Sequence, residues 1–135
     1  MTIALMSHDG KKEMMVQFCI AYKAILAQHD ICATSITGKL VAEATGLPVK
    51  RYLAGSQGGD QQIGARITYD EIDMVLFFTD VSVRKADADR LIEITGLCDR
   101  YNVPVATNLA TAELLILGLA RGYLDWRDVM KSNKK

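Results

Sequence analysis

Short apolar runs alternate along this chain with longer stretches in which apolar residues recur every three or four positions. Ile3 to Met6 is a run of the first kind, and Lys12 to Gln28, which sets Met15, Phe18, Tyr22, Ile25 and Leu26 at helical spacing, is of the second. The alternation repeats with a predicted strand over Ile31 to Thr34, a helix carrying Leu40, Val41 and Ala44 that stops at Gly46, and a strand over Val49 to Leu53. Met74 to Thr79 is a continuous apolar run, suited to a strand covered on both faces. Asp87 to Arg100 presents Leu91, Ile94, Leu97 and Cys98 as one helical stripe, and Val103 to Thr107 predicts a last strand. Ala110 to Arg121, rich in Leu and Ala, predicts a helix, followed by Gly122, the segment Tyr123 to Trp126, and a lysine tail over 131–135 that is expected to fray.

Strands that alternate with helices predict an α/β three-layer sandwich, a mainly parallel five-stranded sheet with helices on both faces, whose ligands bind beyond the carboxyl ends of the strands. No internal repeat, low-complexity segment or Pro/Gly-rich linker divides the chain, so residues 1–135 are expected to form one domain.

At 135 residues, 50% of them hydrophobic and 24% charged, the chain can bury a substantial core. Sixteen basic and sixteen acidic residues cancel, which removes the broad positive field that nucleic acid or an anionic membrane would require, so any anion site must be local. The apolar runs are too short to cross a bilayer and Met1 to Met6 lacks the architecture of a signal peptide, so a cytoplasmic location is expected. Cys19, Cys32 and Cys98 are widely spaced with apolar neighbours and read as buried small hydrophobes. Two histidines without an HxxxH or HExxH pairing give no reason to expect a metal.

The candidate chemistry falls at the predicted carboxyl ends. Ser7, His8 and Asp9 follow the first strand, with Lys11 and Lys12 opening a helix whose free amides and dipole favour an anion. Thr34, Ser35 and Thr37 crowd hydroxyls around Gly38 at the next helix start. Ala54 to Asp60 reads AGSQGGD, where glycines allow close approach of the backbone to a ligand and Asp60 supplies a carboxylate suited to proton transfer. Local alternatives stand beside each: Asp9, Thr37 and Asp60 are all competent helix caps, as are Thr107 and Asn108. Asp80, Arg84, Lys85, Asp87, Asp89 and Arg90 form a charged loop and helix start that reads mostly as solvated.

These segments, from about Ile3 through Ala112, resemble the methylglyoxal synthase family: His8-Asp9, Lys12, Thr34, Thr37-Gly38, Gly58-Gly59-Asp60 with Gln62, and Pro104-Val105-Ala106-Thr107-Asn108. The resemblance implies a cofactor-free lyase, usually a cytoplasmic homohexamer, that converts dihydroxyacetone phosphate to methylglyoxal and inorganic phosphate. It implies that Asp60 moves the substrate proton, that His8 and Asp9 contact substrate oxygens, and that Lys12, Thr34, Ser35, Ile36, Thr37, Ala54 and Gly55 surround the phosphate. Departures cluster in the same place. The family's fourth loop carries Asp-Pro and then Pro-His where this chain has Asp80-Val81 and Ala86-Asp87, so the usual histidine is missing. Arg90 stands where the family has an aspartate, Ile36 replaces a threonine, Ala54 a serine, and Ser35 a glycine. Asp87 and Arg90 are therefore possible further site residues. The alternative from another class is a phosphate-metabolite-sensing domain of the same fold, with little or no catalysis.

Overall fold

The computed structural model describes residues 1–133. Five strands, β1 (Thr2–Ser7), β2 (Asp30–Ala33), β3 (Val49–Arg51), β4 (Met74–Phe78) and β5 (Val105–Ala106), pair in the order β3-β2-β1-β4-β5, every neighbour parallel. The helices are α1 (Lys12–Ala21), α2 (Lys23–Leu26), α3 (Ser35–Thr45), α4 (Gly59–Thr68), α5 (Lys85–Tyr101), α6 (Leu109–Ala120) and α7 (Asp125–Asn133).

Because successive strand residues face opposite sides, the apolar strands feed two cores. Ile3, Leu5, Met74, Leu76 and Phe78 pack with Met15 and Phe18 of α1, Val41 of α3 and Ile116 of α6. Ala4, Met6, Val75 and Phe77 pack on the other face with Ile63 and Ile67 of α4 and Ile94 and Cys98 of α5. Burial on both sides is why Met74 to Phe78 is apolar without interruption. Each large side chain fully buried this way contributes about 1.5–3 kcal/mol, so truncating one such as Phe77, at 0% exposure, cuts deeply into the stability of the fold.

The order of the strands positions the site. The first two crossovers walk outward from β1 to β3, whereas the third, through α4, returns to the opposite side of β1. The helix layers therefore change faces between β1 and β4, and the loops that leave these two neighbours diverge and open a crevice at their carboxyl ends.

Two elements differ from the sequence expectation. The helix expected over 12–28 is interrupted at Tyr22, whose φ of −109° and ψ of 22° end α1 and begin α2. Its ring lies on Phe18, with centroids 4.9 Å apart, and the apolar spacing continues across the break, so periodicity alone does not mark it. The expected fraying of 131–135 is also corrected in part: α7 runs through Asn133, and Lys131 Nζ donates to Asp73 at 2.5 Å. The last two residues of that expected tail lie outside the described residues. Arg127 of α7 is 4% exposed and donates to Asp73 Oδ1 (3.2 Å), Asp70 Oδ1 (3.2 Å) and the carbonyl of Asn102 (2.6 Å), fastening the helix to the amino-terminal end of the sheet.

Candidate active site

His8 extends β1 past its last residue, its amide donating to Phe78 O at 3.0 Å. The ring is 3% exposed and edge-on to Phe77. Its Nδ1 accepts the Asp80 amide hydrogen at 2.9 Å, and its Nε2 faces the Asp87 carbonyl at 3.2 Å. A ring nitrogen that accepts from an amide carries no hydrogen, so this bonding assigns the proton to Nε2, which donates to Asp87. Asp9 does not cap the following turn; its carboxylate is solvent-exposed and lies 3.6 Å from Lys12 Nζ.

Lys12 begins α1, and its ammonium donates to the Ser7 carbonyl (3.0 Å) and to Thr37 Oγ1 (3.2 Å). Burial lowers its pKa below the ordinary lysine value, with Asp9 opposing and Arg90 reinforcing the shift. Thr37 also meets Ser7 Oγ at 3.1 Å. Thr37 thus does not cap α3: the capping position belongs to Thr34, whose side chain makes no capping bond. The Ser35 amide donates to Leu53 O at 3.3 Å. Thr34 and Ile36 face a cavity of about 470 Å³ at the carboxyl ends of β1 and β4, while Ser35 and Thr37 lie off its wall.

The glycine turn folds as its composition requires. Gly58 has φ 109°, a left-handed conformation at the start of α4 that glycine adopts without strain. At Gly59 a Cβ would lie 2.1 Å from the Leu53 carbonyl oxygen, so any side chain there would push two backbone segments apart. Asp60 follows inside the first turn of α4 and is 5% exposed. It is not the helix cap that its position suggests. Arg90 of α5 takes both its oxygens, Nε on Oδ2 at 2.5 Å and Nη2 on Oδ1 at 3.2 Å, and extends Nη1 to Asp87 Oδ1 at 3.2 Å. The hydrogen bond with Asp60 outweighs burial and holds the Arg90 pKa above the ordinary arginine value.

The cavity wall therefore includes His8, Asp9, Lys12, Ala54, Gly55, Asp87 and Arg90, and Asp60 sits behind the Arg90 guanidinium rather than on the wall. Ser7, Ser82, Val83 and Arg84 are wall residues that the sequence reading gave no ligand role. Asp80 is another: its Oδ1 accepts from the Ser82 amide (2.9 Å) and hydroxyl (2.6 Å), bonds that lower its pKa and shape the loop. The Asp-x-Ser spacing of such a turn was its available signal. Asn108 caps α6 as expected, accepting from the Thr111 amide at 3.0 Å. Among the described residues, no cluster of three or more His, Cys, Asp or Glu side chains is placed to hold a metal ion.

The family model of the MGS-like domain matches residues 14–107. A methylglyoxal synthase of Caldicellulosiruptor saccharolyticus is 54% identical over 130 residues, 96% of this chain and 92% of that protein. One from Listeria welshimeri is 47% identical over 99% of this chain and 100% of its own length. The crystal structure of the methylglyoxal synthase from Elizabethkingia anophelis superposes with a TM-score of 0.76 at 38% identity, covering 85% of this chain and 76% of that one.

Proposed function

The chain belongs to the methylglyoxal synthase family, and we infer from that premise that it is a carbon–oxygen lyase converting dihydroxyacetone phosphate to methylglyoxal and inorganic phosphate. The observation that carries the assignment of roles is the convergence of the Lys12 ammonium, the first turn of α3 and Arg90 on one cavity, with the buried Asp60 carboxylate directly behind the Arg90 guanidinium.

In this reading the phosphate rests on Lys12, Thr34 and the amides that open α3 and follow Ala54, where helix-end dipoles and a cation favour negative charge. The substrate carbonyl takes the Nε2–H of His8 in place of the Asp87 carbonyl to which it otherwise donates. Asp60 removes a proton from the hydroxymethyl carbon, and the electron pair moves onto the carbonyl oxygen as an enediolate, which Nε2–H stabilises. The hydroxyl proton then passes to the departing phosphate as the carbon–oxygen bond breaks and the new double bond shifts to the terminal carbon. Asp60 returns its proton to that carbon, giving methylglyoxal and restoring the carboxylate. Atoms balance without water or an oxidant. Ile36 and Ala54 contribute shape but no hydrogen bond, so the phosphate grip depends most on Lys12 and the backbone.

A second reading, a phosphate-metabolite sensor, draws on the Arg90–Asp60 pair, which covers the would-be base. Turnover of dihydroxyacetone phosphate followed as methylglyoxal, in wild type and Asp60→Asn, separates the two: a sensor binds and releases nothing new. Family membership further supports a cytoplasmic homohexamer, and exposed Leu114, Leu117, Trp126 and Met130 on α6 and α7 are apolar surface available for assembly, which a mass measurement in solution tests.

A further inference from the structure

Both oxygens of the residue assigned as the base are engaged by one guanidinium, and this is the feature of the cavity that the reaction scheme leaves unexplained. Asp60 is 5% exposed, while the Arg90 side chain is 24% exposed and forms part of the cavity wall. The arginine thus stands between the carboxylate and the space a substrate would fill. Its third nitrogen is held by Asp87 at 3.2 Å, which tethers the fork from the side. The packing is built for this placement: a Cβ on Gly55 would lie 1.8 Å from Arg90 Nη2 and 2.8 Å from Asp60 Oδ1, so the fork reaches the carboxylate only because residue 55 has no side chain.

With both oxygens bonded to one planar guanidinium, Asp60 presents neither of them to a substrate carbon in this arrangement. The same planar fork matches a phosphate as well as it matches a carboxylate, and the phosphate carries more charge. The cation is therefore shared between two competing anions, one fixed and one delivered by the ligand.

We propose that Arg90 is a phosphate-operated positioning residue: it holds Asp60 in the empty site, and a phosphate dianion entering the cavity draws the guanidinium away and exposes the carboxylate. The proposal deepens the lyase reading and rests on it for the role of Asp60. Its consequence is selectivity, since an unphosphorylated ketose lacks the anion that releases the base.

Inorganic phosphate is the probe, with affinity read by calorimetry, because binding needs no turnover. Arg90→Gln weakens phosphate binding by about tenfold or more, the loss expected for a charged hydrogen-bonding pair. Asp60→Asn strengthens it, by removing the competing anion. In the double variant the strengthening disappears, because without Arg90 there is nothing to compete for. If Asp60→Asn gave the same gain with and without Arg90, simple charge repulsion would account for it and the proposal would fail. Phosphate affinity unchanged by Arg90→Gln, or no phosphate binding by wild type, also overturns it. Gly55→Ala, which keeps both charges and evicts the fork, mimics the released state, and the Arg90 Nε–H resonance of wild type shifts on phosphate addition. A folded Gly55→Ala with wild-type phosphate affinity, or a resonance that does not move while phosphate binds, contradicts the proposal. Should wild type bind phosphate with this coupling yet release no methylglyoxal, the lyase reading falls while the Arg90 exchange stands.

Discussion

The imidazole of His8 and the backbone of Asp80 are joined by a 2.9 Å hydrogen bond in which Nδ1 accepts the amide hydrogen, linking the loop after β1 to the loop after β4. One side chain thereby bridges the loops that leave the two strands and, by accepting at Nδ1, leaves its only hydrogen on Nε2, which faces the Asp87 carbonyl at the cavity wall.

His8→Asn can accept from Asp80 through its side-chain oxygen but has no donor at the Nε2 position. The expected result is a melting temperature near that of wild type and kcat lower by about two or three powers of ten, the typical loss for one positioned donor. Steady-state kinetics with a thermal melt checks this; a large fall in stability with kcat retained would make His8 structural.

Lys12→Met is expected to raise KM for the phosphorylated substrate by about tenfold to a hundredfold, since a charged hydrogen bond contributes roughly 1.5–3 kcal/mol. Burial lowers the Lys12 pKa, so its charge is lost on the alkaline side at a pH below the ordinary 10.5. Phosphate affinity should therefore decline as pH rises through that lowered value, and the decline should be absent in Lys12→Met. The sign for stability is opposite: the unfolded chain holds this proton more tightly, so the cost of burying the cation diminishes with rising pH. Calorimetry across the alkaline range measures the first effect and urea melts the second.

Much of this arrangement was legible in the sequence because it is local. The alternation of apolar runs gives the strands and most of the helices, though not α7, and the glycines before Asp60, read as room for a ligand, make room at Gly59 for the Leu53 carbonyl. What was not legible is set by contacts distant in sequence. Asp60 and Thr37 have the composition of helix caps, yet their side chains go to Arg90 and Lys12, which lie 30 and 25 residues away. Arg127 carries no distinguishing mark in the sequence, and its burial comes from α7 folding back on Asp73 and Asp70.

That cluster yields a stability prediction away from the cavity. Burial opposes the Asp73 charge, but Lys131, the Thr2 amide and Arg127 outweigh it and hold the carboxyl below its ordinary 3.8. A depressed carboxyl contributes stability above its unfolded value and loses it as pH falls through the folded value, so the loss lies below about pH 3.8. Asp73→Asn removes the charge that Arg127 and Lys131 share, leaving buried Arg127 with Asp70 and the Asn102 carbonyl, and should cost about 1–3 kcal/mol at neutral pH. Urea unfolding at several pH values checks both, and phosphate affinity should not change.

The thiols give a simpler check. Burial pushes Cys19 and Cys98 up to about 12 and Cys32 up to about 11. A thiol reagent at neutral pH should therefore label none of the three rapidly in the native protein and all three once it is denatured. Rapid labelling of any one in the folded state would contradict the placement of that residue.

The most direct test of the account is the yield from dihydroxyacetone phosphate. Wild type is expected to release methylglyoxal and inorganic phosphate in equal amounts, with Asp60→Asn slower by about two to four powers of ten, the usual contribution of a general base. Wild type that binds the substrate and releases no methylglyoxal, or an Asp60→Asn variant as fast as wild type, would contradict it.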